Sequence, residues 1–117
     1  MKKYERETCT ILRRLGVPEH LSGFTCLLAA VELAVEDPML LHHMMGRLYP
    51  AVAQRCCSTP QRVERVMRHA IEAAWSRCDP EILLRYFGNA VDPARGKPAN
   101  AEFIARISNG VRQGEFA

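Results

Sequence analysis

The stretch STPQRVERVMRHAIEAAWSRC, residues 58–78, gathers the side chains of this chain best suited to recognising another molecule. Arg62, Glu64, Arg65, Arg68 and His69 all lie within it. A guanidinium donates in a fork that fits phosphate oxygens or the O6/N7 edge of guanine, and a carboxylate accepts from the N4 amino group of cytosine. At about 100° per residue, Val63, Val66, Met67, Ala70, Ile71, Ala74 and Cys78 form one apolar stripe. Gln61, Arg62, Glu64, Arg65, Arg68, His69 and Glu72 take the opposite side. The pattern predicts an amphipathic helix with Thr59 as N-cap and Pro60 as its first residue. Such a face has a plainer reading as solvated surface, and Glu64 with Arg68 has the i, i+4 spacing of a helical ion pair. Yet the basic residues crowd the first three turns while AIEAAW beyond them is mostly apolar, an asymmetry that solvation alone does not require.

What precedes this helix gives it a role. YPAVAQR predicts a short helix, followed by a three-residue turn at Cys57, Ser58 and Thr59. A short helix, a tight turn and a second helix basic in its first half form a helix-turn-helix, whose second helix enters the major groove of DNA. Ala53 supplies the small residue at the helix contact, and Val63 and Val66 pack back. Cys57 stands where such a turn often carries glycine.

The rest of the chain predicts an all-α domain of six or seven helices, six in the core arrangement, containing this helix-turn-helix. Alternating strand patterns are nearly absent. A helix over 4–15 buries Ile11, Leu12 and Leu15 and stops at Gly16 and Pro18. A second, over 22–36, is apolar on most sides and should be buried. Asp37-Pro38 restarts the chain, with Asp37 as N-cap, and Pro50 should break or kink the segment near Tyr49. A short helix opens at Asp79-Pro80 and closes at Gly88. Residues 90–99 form a loop, and Asn100 caps a last helix.

Composition narrows the function. The 117 residues are 48% hydrophobic and 25% charged, enough for one domain, 1–117, with one core. The charge balance of 16 basic against 13 acidic residues does not mark a nucleic-acid binder by itself, so the placement of the arginines carries the case. Five cysteines, an odd number without C-x-x-C spacing, fit reduced and mostly buried thiols in a cytoplasmic protein. No apolar run approaches the roughly 18 residues of a membrane span, and MKKYERETCT has no signal-peptide core. Adjacent His42-His43 and Cys56-Cys57 diverge on a helix and make no chelate, so no metal or cofactor is expected. Trp75, Met44 and Met45 read as core. No nucleophile triad, carboxylate pair or phosphate loop stands in a workable context, so the chain is not expected to be an enzyme.

RVERVMRHAIEAAWSR resembles the C-terminal effector domain of the stage-zero sporulation protein A family, the response regulators of endospore formation in Firmicutes. The likeness continues through GVPEHLSGF, LYPAVAQR, YFGNAV and GKPANAEFIA, and runs from Ile11 to Ile107. It implies a six-helix domain that binds a promoter box in double-stranded DNA as a dimer. It also places Arg62, Glu64, Arg65, Arg68 and His69 on the recognition helix and Lys97 in a loop near DNA. Family members carry a receiver domain ahead of this one; here the chain opens directly in the effector domain. Where relatives have a polar segment that touches the RNA polymerase sigma factor, this chain reads PEILLRY, and Leu28-Ala29 replaces charged positions of the second helix. The rival expectation is a protein-interaction module that keeps the fold and binds a regulator or polymerase without specific DNA binding.

Overall fold

A computed structural model describes residues 3–88 and 96–116. Among them are six α-helices and no strand: α1 (Lys3–Arg14), α2 (Ser22–Glu36), α3 (Tyr49–Arg55), α4 (Pro60–Arg77), α5 (Pro80–Phe87) and α6 (Asn100–Arg112). The expected all-α fold is therefore observed. Most of the loop expected over 90–99 lies outside the described residues.

α2 is the hub, packed against α1, α3, α4 and α6. Its near-complete apolar girth explains this: Phe24, Cys26, Leu27, Ala29, Ala30, Val31, Ala34 and Val35 are all buried. Leu28 also leans on the core, so the Leu28-Ala29 pair lines packing rather than a free surface. One charge sits on this helix in the interior. Glu32 is buried and takes an Arg55 Nη1 hydrogen bond at 3.1 Å, which ties the end of α3 to the hub.

The segment after α2 departs from expectation in an instructive way. Asp37 does cap the restart, accepting from the Met39 amide at 3.1 Å, but the turn it opens is a 3₁₀ helix, Pro38–His42. The break then falls at His43, whose backbone leaves the helical region (φ −139°, ψ 56°), rather than at Pro50. A π-helical turn, Met44–Leu48, follows, in which the Tyr49 amide reaches back five residues to the Met44 carbonyl. Pro50, lacking an amide hydrogen and bulky toward the preceding turn, then fits inside the first turn of α3. Met44 packs on the core as expected; Met45 does not, and is 57% exposed.

The other end of the core is aromatic. Trp75 meets Phe87 edge-to-face at 4.9 Å, and Phe87 lies 5.5 Å from Phe103. Phe116 closes over Tyr86 at 5.0 Å, held by Arg106, which pairs with both oxygens of Glu115 at 2.6 and 3.0 Å. α5 is capped as expected, by Asp79 accepting from the Glu81 amide, and Gly88 ends it with a positive φ. Asn100 is not the cap of α6. Ala99 holds that position, its amide donating to Glu102, and Asn100 is buried one residue further on.

Two predictions follow from the packing. At Gly23, α2 comes so near α4 that a β-carbon would overlap the Val66 carbonyl and reach 2.6 Å from the Ala70 β-carbon. Alanine in a helix normally gains up to about 1 kcal/mol over glycine, but overpacking costs about 1–3 kcal/mol and a backbone carbonyl cannot rotate aside. Gly23→Ala should therefore lower the urea midpoint, against its propensity. The Arg106 hydrogen bond holds the Glu115 carboxyl below its ordinary value. The stability this contributes is present above the unfolded carboxyl value and lost as pH falls through the folded one. An acid titration of the urea midpoint should show a step below about pH 4.5 that Glu115→Gln lacks.

Candidate nucleic-acid interface

α3, the turn and α4 fold as the helix-turn-helix that the spacing suggested, and local chemistry explains each boundary. Thr59 Oγ1 accepts from the Arg62 amide at 3.2 Å and Pro60 begins α4. The turn itself is a Schellman closure: the Ser58 amide bonds the Ala53 carbonyl at 2.9 Å, and Cys57 sits between them with φ +52°. Cys57 is the one non-glycine with positive φ among the described residues, so the position that resembled a glycine site has the glycine-favoured backbone. Ala53 and Val63 are buried at the helix contact, and Val66 is partly so. The stripe of α4 is core as read: Val63, Met67, Ala70, Ile71 and Ala74 are buried and Cys78 packs at its end.

The opposite side of α4 divides into two groups. Arg62, Arg65 and His69 are exposed and, with offsets of three and four residues, share one stripe of roughly 10 Å length. Among the described residues, none of these three side chains has an ion-pair or hydrogen-bond partner. Glu64 and Arg68 lie further round and bind each other, Arg68 Nε to Glu64 Oε1 at 2.9 Å. This bond and the Glu64 charge raise the Arg68 pKa above its ordinary value. Glu72 continues the chain of charges, 4.0 Å from Arg68 and 3.9 Å from Lys97 Nζ. Lys97 is thus brought beside the middle of α4, about seven residues beyond Arg65 along the helix. The structure therefore collects all six residues singled out in the sequence on one side of the molecule, three of them free and three engaged with acids or with each other.

Two positioning contacts were not legible in the sequence. Asn100 Nδ2 donates to the Tyr49 hydroxyl at 3.0 Å and to the Glu64 carbonyl at 3.1 Å, linking α6 to both helices of the motif. Burial raises the Tyr49 pKa, so the hydroxyl stays neutral as acceptor. An asparagine ahead of an apolar run reads as an N-cap, and nothing local reveals that this one points inward. The Glu32–Arg55 pair is the second, its members 23 residues apart. The cysteines also differ from expectation: Cys9 and Cys26 are buried, Cys56 and Cys78 half-buried, and Cys57 is exposed.

An all-α domain whose second motif helix presents an exposed stripe of Arg62, Arg65 and His69 belongs, by fold and face, to the helix-turn-helix class. The chain is a member of the family described as "Sporulation initiation factor Spo0A C terminal", whose model matches residues 8–111, nearly its whole length. That is a family of sporulation-related DNA-binding domains, not of enzymes. No helix among the described residues is long and apolar enough to cross a membrane.

Cys57 yields a stability test. An L-residue held in the left-handed region costs about 1–2 kcal/mol, against roughly 0.5–1 kcal/mol for the extra chain freedom of glycine. Cys57→Gly should raise the thermal midpoint modestly, and Cys57→Val, β-branched, should lower it.

Proposed function

We propose that this domain binds a promoter box in double-stranded DNA sequence-specifically and regulates transcription, with α4 as the reading helix. The observation that carries the reading is the exposed stripe of Arg62, Arg65 and His69, unpaired and fixed in place by a capped, buried helix. An arginine with no partner among the described residues is available for the bidentate guanine contact, worth about 1–3 kcal/mol of discrimination. Arg62 and Arg65, nearest the start of α4, are the base readers in this proposal, and His69 reaches the groove wall. Arg68, oriented by Glu64, takes a phosphate beside the groove, and Lys97 takes another. Glu64 keeps lone pairs beyond its bond to Arg68 and accepts from a cytosine amino group, the contact that separates base reading from attraction to phosphate alone.

One reading helix spans only part of a groove turn, so productive binding is by two protomers on adjacent half-sites. A sigma-factor contact is also proposed. On α5 Pro80, Glu81, Leu84 and Arg85 are exposed, while Leu83 is core and Ile82 half-buried; the apolar run PEILLRY thus shows a mixed surface that includes Leu84. Fluorescence anisotropy with a labelled sporulation-type box and a scrambled duplex tests the main reading. Specific binding should exceed scrambled binding, and Arg65→Ala should cost about 1–3 kcal/mol on the box with little loss on the scrambled duplex. Equal weak binding of the two duplexes by the unmutated domain overturns it.

A further inference from the structure

The turn of the motif borders a cleft of about 540 Å³, between the start of α2 and the start of α4. Its size falls within the roughly 300–1,000 Å³ of small-molecule sites. Three of the five cysteines line it, Cys26, Cys56 and Cys57, together with Ser22, Ser58 and Arg62. The three thiols are not equivalent. Cys57 is exposed, whereas Cys26 is buried, and burial together with the neighbouring Cys56 thiol pushes its pKa up to about 12. Burial also raises Cys9 and Cys78, which lie elsewhere. Since the thiolate is the nucleophile, buried thiols of high pKa react slowly and an accessible one reacts first. Two polar groups in the cleft have no partner among the described residues: the Arg62 guanidinium, and Ser58 Oγ, which is buried without a hydrogen bond.

We propose that Cys57 is a thiolation site for an anionic low-molecular-mass disulfide, whose carboxylate is held by Arg62 in this cleft. The Cys57 thiolate attacks one sulfur of the small disulfide. That S–S bond breaks, a mixed disulfide forms on Cys57, and the other half leaves as a thiolate that takes up the proton Cys57 gave up. Cys57 is oxidised and the leaving half reduced, so no further oxidant is needed, and a reducing thiol reverses the step. The adduct neutralises Arg62 and fills the space ahead of α4, so a thiolated domain cannot seat that helix on DNA. This consequence rests on the DNA-reading role proposed above; the chemistry at Cys57 does not.

The probe is oxidised glutathione, an anionic tripeptide disulfide, added to the full chain and followed by intact-mass and peptide mass spectrometry. One adduct is expected, on Cys57, removed by dithiothreitol and absent in Cys57→Ser. Its rate should exceed that with neutral 2-hydroxyethyl disulfide by about two- to fivefold, the range of an exposed ion pair, and Arg62→Gln should abolish that preference. Adducts scattered over the cysteines, loss of two thiols without an adduct, or a preference that survives Arg62→Gln would each overturn the site. Anisotropy on the promoter box, before and after thiolation, reads the consequence. Unchanged binding by the adduct overturns the regulatory role. A failure of the untreated domain to discriminate the box sinks the DNA reading alone, because the mass measurements stand apart from it.

Discussion

The position of the exposed face of α4 depends on a backbone approach: α2 lies against α4 at Gly23 with no room for a β-carbon. Because the hub helix touches the back of α4 this closely, α4 cannot roll without driving its own Val66 carbonyl or Ala70 methyl into the α2 backbone at Gly23. Side-chain packing alone would leave such a helix some freedom, since rotamers adjust; backbone against backbone does not. The other restraints act on the same body from its flanks. Glu32 holds the end of α3 to α2, and Asn100 bridges α6 to Tyr49 and to the Glu64 carbonyl. The outward stripe of Arg62, Arg65 and His69 is thus set by contacts made on the opposite side of the helix.

Much of this was legible in the sequence, and the reasons are specific. α4 declared itself because its caps and its apolar stripe are local patterns: Thr59-Pro60 at the start, and Val63, Met67, Ala70 and Ile71 at helical spacing. α2 was recognisable as a buried helix because one that is apolar nearly all round has to be enclosed. The turn was recognisable through its neighbours, although cysteine at a left-handed position hides the usual glycine signal. Failures cluster where long-range packing overrides local preference. Asn100 carries the residue type of a cap but is buried against α3 and α4, and Met45 has the type of a core residue but faces outward. Pro50 reads as a breaker, yet a π turn before it absorbs its missing amide, a backbone adjustment with no residue signature of its own. Within the site, the i, i+4 spacing named the Glu64–Arg68 pair, but the contact of Lys97 with Glu72, made across the fold, had no local signal.

These pairings bear on how the domain behaves as a polyelectrolyte ligand. Arg68 and Lys97 each carry a carboxylate neighbour, Glu64 or Glu72, and so bring their own counterions to any encounter with DNA. Only a cation that displaces condensed salt from the duplex contributes to the dependence of affinity on ionic strength. Arg68 and Lys97, the two cations proposed above to take phosphates, would first have to trade one anion for another. On the roles proposed above, the domain's hold on DNA would weaken less with rising salt than a count of its basic residues implies.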